Sequence, residues 1–267
     1  MTMSAKISFD KYCATGNDFV VLDNRTNSFD PSDTKLWQKV CDRRFGIGAD
    51  GVLFFNNSNK FDFEMVYLNA DGGEVGMCGN GARALTTFAQ KIQFDKVNFT
   101  FKTRDGVYTS SLLKNGEVKL EMVQLFDIEK VDVSDLYENK HSYFMNTGVP
   151  HSVFFVESAE AVNIKEAGAK VRYDERFEGG CNANFVEVLG EGSLKVRTYE
   201  RGVEDETLAC GTGAVACAFA YRKFYKEVSK VSVEVPGGLL NILFEDDKVY
   251  LCGKAAKIFS GVISIEE

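Results

Sequence analysis

The sequence ACGTGA at residues 209–214 decides the fold, because a near copy, MCGNGA, stands at residues 77–82. The cysteines of the two copies, Cys78 and Cys210, lie 132 residues apart (210 − 78 = 132), close to half of the 267-residue chain. Each copy comes directly before a helix-forming run. A thiol in the first turn of a helix lies beside unpaired N–H groups and the positive end of the helix dipole, which favours the thiolate. The sequence therefore predicts a pair of equivalent reactive cysteines.

The repeat extends well beyond the cysteines at the same offset of 132 residues. The matching positions are Thr15-Gly16 with Thr147-Gly148, Gly48 with Gly180, residues 52–54 with 184–186, Glu74 with Glu206, and Gly106 with Gly238. Chance does not keep one register over about ninety residues, so two structurally equivalent halves are predicted. We expect the two cysteine helices to face each other, with the sulfurs within disulfide-forming range or separated by one substrate carbon.

Composition narrows the class of protein. The formal net charge of −8 argues against nucleic acid or an anionic membrane surface as a partner. No apolar stretch is long enough to span a membrane, and residues 1–6 carry no signal-peptide core, so a cytoplasmic protein is expected. A hydrophobic content of 45% is sufficient for two packed cores. We predict a domain of residues 1–124 with Cys78 and one of residues 125–267 with Cys210, the final strand being a candidate to pack on the first half.

The cysteine and histidine content argues against a metal site. Seven cysteines form an odd set without a Cys-x-x-Cys pair, at positions 13, 41, 78, 181, 210, 217 and 252. This pattern is typical neither of a disulfide framework nor of structural zinc, and only two histidines are present. The GIGADG sequence at residues 46–51 matches G-x-G-x-x-G, but it lies after a predicted helix and before a predicted strand, the reverse of a dinucleotide site. No metal and no other cofactor is predicted.

The hydrophobic pattern predicts an α+β fold. Strands are expected in the first half at residues 7–14, 19–22, 52–55, 61–68, 97–102, 107–113 and 118–123, with helices at 33–45 and after Cys78. In the second half they are expected at residues 152–156, 185–189, 194–199, 231–235, 239–245 and 249–252, with helices at 161–171 and after Cys210. The polar, acidic residues 124–142 are interpreted as the connection. Helix 211–224 has almost no polar face, which favours a mostly antiparallel or mixed sheet wrapped around it. With the repeat, this predicts two pseudo-symmetric halves, each a sheet around a central helix.

Two thiols on opposite sides of one carbon can invert a stereocentre without a cofactor. One thiolate removes a proton from the carbon, and the other thiol returns a proton to the opposite face. The carbanion needs stabilisation, which two helix N-termini could supply by holding the substrate carboxylate on backbone N–H groups. The glycines after each cysteine allow the backbone to approach closely.

The motifs of the chain resemble those of the diaminopimelate epimerases, in family order over nearly its whole length. They are TGNDF (15–19), GIGAD (46–50), NADG (69–72), MCGNGAR (77–83), NANF (182–185) and YERGVEDETLACGTG (199–213). The resemblance implies a cofactor-independent epimerase that interconverts LL- and meso-diaminopimelate in bacterial lysine and cell-wall precursor synthesis. It also implies two pseudo-symmetric α/β halves and a homodimer.

The resemblance implies roles for individual residues. Cys78 and Cys210 would be the acid–base pair. The residues that would hold the reacting carboxylate are Gly79, Asn80, Gly211 and Thr212. The residues that would read the distal amino-acid head are Asn17, Asn69, Asn182, Glu200 and Arg201. Within the latter group, Arg201 can fork onto a carboxylate and Glu200 can accept from an ammonium group. His151 and Glu200 are the candidates for tuning a cysteine pKa.

Two positions depart from the family pattern. Val149 stands where many members have an asparagine before Pro-His, and Gly51 stands where many have a glutamine. Both changes remove hydrogen-bonding side chains from the expected site for the distal head.

Other functions compete with this interpretation. Proline and hydroxyproline racemases share the two-cysteine fold, but they resemble Cys-Gly-His at the first site, whereas this chain has Asn80 after Gly79. The cysteine-free isomerases of the phenazine pathway are excluded by Cys78 and Cys210. A protein of another class, a redox sensor with a switchable Cys78–Cys210 disulfide, is the remaining alternative.

Overall fold

A computed structural model describes residues 5–93, 95–122 and 126–265. The chain divides into two compact units, Met1–Leu120 with Gly253–Glu267, and Glu121–Cys252. The unit boundary thus falls between Leu120 and Glu121, and the chain from Gly253 onward belongs to the first unit.

The elements of the first unit are β1 (Ala5–Ala14), β2 (Asn17–Asp23), α1 (Thr34–Cys41), β3 (Gly51–Asn56), β4 (Phe63–Asn69), β5 (Glu74–Val75), α2 (Gly79–Ile92), β6 (Asn98–Lys102), β7 (Val107–Leu112) and β8 (Glu117–Glu121). Those of the second are β9 (Phe126–Lys130), β10 (His141–Asn146), β11 (Pro150–Phe155), α3 (Ile164–Arg172), β12 (Asn182–Gly190), β13 (Ser193–Glu200), β14 (Asp205–Thr207), α4 (Gly211–Phe224), β15 (Lys230–Val235), β16 (Gly238–Glu245) and β17 (Lys248–Lys254). The last strand of the chain, β18 (Ala256–Ile265), returns to the first unit.

The strands within each of the two units follow the same topology. The first runs β18-β1-β2-β3-β4-β6-β7-β8, with β5 also paired to β4, and β2/β3 and β4/β6 are its parallel pairs. The second runs β9-β10-β11-β12-β13-β15-β16-β17, with β14 paired to β13, and β11/β12 and β13/β15 are its parallel pairs. The other pairs in both sheets are antiparallel. This correspondence, strand by strand, confirms the predicted α+β fold of two equivalent halves.

Each sheet packs around one central helix. Helix α2 contacts β1, β2, β3, β4, β7 and β18, and helix α4 contacts β10, β11, β12, β13, β15 and β16. Residues 213–218 of α4 are all buried, as are Ala220 and Tyr221. The predicted bounds of α4 and its burial on most sides are confirmed, because a helix without a polar face needs apolar neighbours around it.

The offset of 132 residues also holds for the backbone conformation. Gly48 and Gly180 have left-handed φ angles of +76° and +71°. Gly72 and Glu204, also 132 positions apart, have φ angles of +78° and +59°. Left-handed backbone is unfavourable for a residue with a side chain. Glu204 therefore shows that the repeated turn keeps this conformation even where glycine is absent.

Several of the predicted bounds are wrong in detail. The helix expected over residues 33–45 ends at Cys41, because the Asp42 carboxylate accepts hydrogen bonds of 2.7 Å from the N–H groups of both Arg44 and Phe45 and closes a turn. The expected connection 124–142 contains β9 and the first residues of β10. Residues 124 and 125 of this connection lie outside the described residues. The strand expected over 118–123 ends at Glu121, and residue 123 also lies outside the described part. Strands β5, β9, β10 and β14 were not predicted, and the final strand β18 was expected without bounds.

The last strand is held to the first unit by a cluster of charges as well as by its ladder. Strand β18 pairs antiparallel with β1 from Ala5↔Ile265 to Cys13↔Ala256. On β1, Asp10 accepts hydrogen bonds of 2.8 Å from Lys91 and 2.5 Å from Ser260, and it forms an ion pair of 2.9 Å with Lys257.

In the described part of the chain, no helix has the length and apolar character of a membrane span.

Candidate active site

Cys78 and Cys210 each occupy the N-cap of a central helix. Both have extended backbone, with φ and ψ of −134° and 115° for Cys78 and −108° and 110° for Cys210. The Cys78 sulfur accepts a hydrogen bond from the N–H of Gly81 at 3.4 Å. The Cys210 sulfur lies 3.5 Å from the hydroxyl oxygen of Thr212. An N-cap sulfur lies where free N–H groups and the helix dipole stabilise negative charge. The expected facing of the two sulfurs stays a prediction.

Around Cys78, two of the predicted binding residues are joined by a hydrogen bond. Asn80, almost fully buried, donates from Nδ2 to Oδ1 of Asn17 at 3.3 Å. Asn17 in turn donates to Oδ2 of Asp50 at 2.6 Å. The structure therefore links Asn17 to the cysteine helix of its own unit, and Asp50 is a positioning partner that the sequence had not identified.

A buried arginine supports the same turn. Arg83 has no exposed surface, and its guanidinium donates to Oδ1 of Asn80 at 2.5 Å, to Oγ1 of Thr15 at 3.1 Å and to the carbonyl of Gly79 at 3.3 Å. Thr15 and Asn80 belong to the TGNDF and MCGNGAR motifs, but the sequence did not indicate that Arg83 binds both of them.

Asn69 and Gly51 lie opposite each other on neighbouring strands. They form a register pair between β3 and β4, at the start of the turn that contains Gly72. The Asn69 side chain is exposed. A β-carbon at Gly51 would lie 2.3 Å from the Leu68 carbonyl and 2.6 Å from the ring of Tyr67. Position 51 therefore has no room for a side chain such as glutamine, because the Leu68 carbonyl and the Tyr67 ring occupy that space.

Around Cys210, the hydrogen bonds run through a buried histidine. His151 on β11 is fully buried, with Nε2 3.0 Å from Oγ1 of Thr212 and Nδ1 3.1 Å from Nδ2 of Asn184. Burial lowers the pKa of His151 to about 3, and the positive charge of Arg201 acts in the same direction. His151 is therefore a neutral imidazole near pH 7. Asn184 had been assigned no role, although it lies in the NANF motif and is polar within the buried run 182–186.

The remaining predicted residues come together at the end of β13. Asn182 accepts the N–H of Arg201 at 2.8 Å and donates to the carbonyl of Pro150 at 3.1 Å. Glu200 accepts a hydrogen bond of 2.9 Å from the hydroxyl of Thr207, while burial raises the pKa of its carboxyl against the effect of that bond. The group expected to read the distal head thus has three members in the second unit and two, Asn17 and Asn69, in the first.

Within residues 5–93, 95–122 and 126–265, no three His, Cys, Asp or Glu side chains come together in an arrangement that could hold a metal ion.

Solved structures of other kinds of protein share this fold. A PhzF-family phenazine biosynthesis protein of Bacillus anthracis superposes with a TM-score of 0.75 at 16% identity, over 98% of this chain and 100% of that one. A hydroxyproline epimerase of Agrobacterium vitis superposes with a TM-score of 0.72 at 13% identity, over 100% of this chain and 95% of that one. At such identities the likeness shows the fold alone.

Sequence relatives identify the chain more closely. The family model for diaminopimelate epimerase matches residues 9–125 and 143–258. The diaminopimelate epimerase of Flavobacterium psychrophilum is 42% identical over 260 residues, which cover 95% of this chain and 98% of that protein. That of Aquifex aeolicus is 38% identical over 275 residues, which cover 97% and 99%. The chain is therefore an isomerase of the epimerase class. It belongs to the diaminopimelate epimerase family, and the resemblance found in its motifs is confirmed.

Proposed function

We propose that this protein interconverts LL- and meso-diaminopimelate by proton transfer at one Cα, with Cys78 and Cys210 as the two acid–base residues. The observation that carries the proposal is the occurrence of each cysteine at the N-cap of a repeated central helix. One sulfur, as thiolate, takes the proton from Cα, and the other, as thiol, gives its proton to the opposite face. The reaction conserves protons and electrons, so it requires no redox partner.

The reacting carboxylate binds at the helix N-termini. The N–H groups of Gly79 and Asn80 in one unit, and of Gly211 and Thr212 in the other, are in the first turns of α2 and α4. N–H groups in the first turn of a helix point out of its N-terminus and stabilise the negative charge that spreads into the carboxylate as Cα loses its proton. Cys78 and Cys210 each directly precede these residues in the sequence. Each acid–base sulfur therefore lies next to the N–H groups that bind the carboxylate.

The distal amino-acid head is read by Asn17, Asn69, Asn182, Glu200 and Arg201. Arg201 is held by its own N–H on Asn182 and by guanidinium contacts of 3.3 Å with the carbonyls of Gly179 and Gly180. These contacts leave a two-pronged donor for a carboxylate. Glu200 supplies the acceptor for an ammonium group, whose positive charge would favour the ionised form of this buried carboxyl.

We also propose that the enzyme acts without a cofactor, in the cytoplasm, as a homodimer that serves lysine and cell-wall precursor synthesis. Its partner is a small amino-acid substrate, not nucleic acid or a membrane. The family membership and the net charge of −8 support these points. Sedimentation of the purified protein tests the dimer. Activity after exhaustive chelation, in protein without absorbance from an organic cofactor, tests cofactor independence.

The decisive experiment is epimerisation in heavy water. LL-diaminopimelate should acquire deuterium at Cα as meso product forms, and neither proline nor trans-4-hydroxyproline should exchange. Exchange of the cyclic amino acids alone would assign the protein to the proline racemase type. Absence of Cα exchange with all three substrates, in protein whose cysteines titrate as free thiols, would overturn the epimerase proposal.

A further inference from the structure

The side-chain amide of Asn184 has a defined orientation. Its Nδ2 lies 2.9 Å from the carbonyl oxygen of Ser152 and 3.1 Å from Nδ1 of His151, and its Oδ1 lies 3.0 Å from Oγ1 of Thr198. A backbone carbonyl can only accept, so the atom that faces Ser152 must be the amide nitrogen. The same nitrogen faces His151. Asn184 therefore donates to Nδ1 of His151.

This contact fixes the tautomer of His151. A neutral imidazole carries one hydrogen, and an accepting Nδ1 leaves that hydrogen on Nε2. Nε2 lies 3.0 Å from Oγ1 of Thr212 and thus donates to the hydroxyl oxygen. The side chain is fully buried, so water does not compete for either ring nitrogen.

The hydroxyl of Thr212 then has its own hydrogen available for a different acceptor. The Cys210 sulfur lies 3.5 Å from Oγ1, within the range of a hydrogen bond to sulfur. We propose that Asn184 is a positioning residue for Cys210: it holds His151 as the Nε2–H tautomer, which turns the Thr212 hydroxyl into a donor to the Cys210 thiolate. His151 acts in this chain as a fixed donor and not as a base that collects the thiol proton.

The repeat supplies an internal control. At the offset of 132, the positions of His151, Asn184, Thr198 and Thr212 correspond to Phe19, Val52, Val66 and Asn80. Three of these four have apolar side chains, so the same series of hydrogen bonds cannot form beside Cys78. The two cysteines have equivalent places in the fold, but the hydroxyl donor belongs to Cys210.

The tautomer can be read directly, because the chain contains only two histidines, His141 and His151. Protein labelled with ¹⁵N-histidine should show His151 with a bare Nδ1 and a protonated Nε2 from pH 5.5 to 8. His141, which is exposed, gives the second set of histidine signals in the same spectra. Asn184→Asp should move the proton to Nδ1, because a carboxylate only accepts, whereas Thr198→Val keeps both donor contacts of Asn184 and should keep the tautomer. A His151 that is protonated on Nδ1 or cationic near pH 7 in the unaltered protein would overturn the proposal.

The consequence for the sulfur is measured by alkylation. Iodoacetamide rates at Cys78 and Cys210 can be followed peptide by peptide across pH 6 to 10. Thr212→Val should raise the apparent pKa of Cys210 by about 1 to 2, the effect of losing one hydrogen bond to a charged group, while Thr212→Ser should restore it. Cys78 should not change. An unchanged Cys210 profile in Thr212→Val, or equal changes at both cysteines, would overturn the proposal even if Asn184→Asp fails to fold.

The inference rests on the proposed function only where it gives Cys210 an acid–base role. Both measurements are made without substrate. Loss of the epimerase proposal in the heavy-water experiment would leave the tautomer and alkylation results standing, and a wrong tautomer would leave the epimerase proposal standing.

Discussion

A β-carbon at Gly213 would lie only 2.5 Å from Oδ1 of Asn184. The same carbon would lie 3.3 Å from the sulfur of Cys210. At the matching Gly81 of the first unit, the nearest atoms would be the ends of the Leu53 and Met65 side chains, at 3.1 and 3.4 Å. The second glycine of the repeated motif therefore makes room for a fixed buried amide in one unit and lies below flexible apolar groups in the other.

Replacing these two glycines by alanine should give different results. Gly213→Ala should lower the free energy of unfolding by about 1–3 kcal/mol through overpacking, in spite of the gain in helix propensity of ~1 kcal/mol. Gly81→Ala is the matched control and should stay within about 1 kcal/mol of the unaltered protein, since Leu53 and Met65 can move. Urea unfolding of both variants measures the difference. Equal destabilisation would contradict the close approach of Asn184.

The two-thiol scheme predicts a separation of elimination from epimerisation. Cys78→Ser and Cys210→Ser should each lose nearly all epimerisation, because a hydroxyl is far harder to ionise than a thiol of pKa ~8.5 and inversion needs both groups. A substrate analogue with a leaving group at Cβ needs only proton abstraction. Each variant should therefore still eliminate from the stereoisomer served by its remaining thiol, as seen by release of the leaving group.

Alanine variants provide the strict test of the same scheme. Cys78→Ala and Cys210→Ala should both abolish epimerisation, whereas Cys217→Ala, which alters a buried cysteine of α4 outside the first turn, should retain it. If either N-cap cysteine can be replaced by alanine without loss, a one-base mechanism must replace the two-thiol scheme.

Arg201 should not tolerate lysine. The guanidinium can meet a carboxylate with two parallel N–H groups, and a lysine keeps the charge but loses this geometry. Loss of about 1.5–3 kcal/mol corresponds to a decrease of ~10- to 100-fold in kcat/KM for diaminopimelate. Arg176→Lys is the control, because Arg176 contacts Asp174 and Asp135 on the surface and should leave kcat/KM unchanged. Near-normal turnover of Arg201→Lys would mean that Arg201 does not read a carboxylate.

Asp10 should make the stability of the protein depend on pH. Burial acts to raise the pKa of Asp10, but hydrogen bonds from Lys91, Ser260 and Lys257 outweigh it and hold the pKa below its ordinary value of 3.8. A carboxyl with a lowered pKa in the folded state stabilises the fold above that ordinary value, and the contribution is lost as pH falls through the folded pKa.

The corresponding variant is Asp10→Asn. It should lower the free energy of unfolding by about 1–2 kcal/mol at pH 7, since the lysine partners are partly exposed and screened. The difference from the unaltered protein should shrink as pH falls below ~4. Asp23→Asn, at an exposed pair with Arg25, should change stability by less than about 1 kcal/mol at pH 7. A difference for Asp10→Asn that grows on acidification would contradict the assigned pKa direction.

The sequence predicts the elements that its own periodicity and turn residues define. Helix α4 follows from an apolar run after a Cys-Gly turn, and the common register of the two halves follows from five matched positions. Strand β9 was not predicted, because residues 124–142 are mostly polar and the alternation of Ile128 with its charged neighbours is short. Its pairing with β10 defines the strand. The early end of α1 depends on the Asp42 side chain, a local competition that an apolar face does not reveal.

The candidate site could likewise be predicted only in part from the sequence. The motif residues, from Asn17 to Thr212, could be named one by one from the resemblance. The contact between Asn184 and His151 could not, because it depends on two side chains that point the same way from neighbouring parallel strands, β11 and β12. Spacing along the chain does not give the direction in which these side chains point. For the same reason, the position of the Tyr67 ring beside Gly51 could not be predicted.

The position of β18 has a consequence for synthesis of the protein on the ribosome. This strand is the last along the chain, yet it pairs with β1, the first strand that the structure describes. Residues 121–252, the whole of the second unit, are translated before β18 exists. The second unit can complete its strand pairing during translation. The first unit cannot, because one edge of β1 stays unpaired until β18 is made. The unit that begins first is therefore finished last.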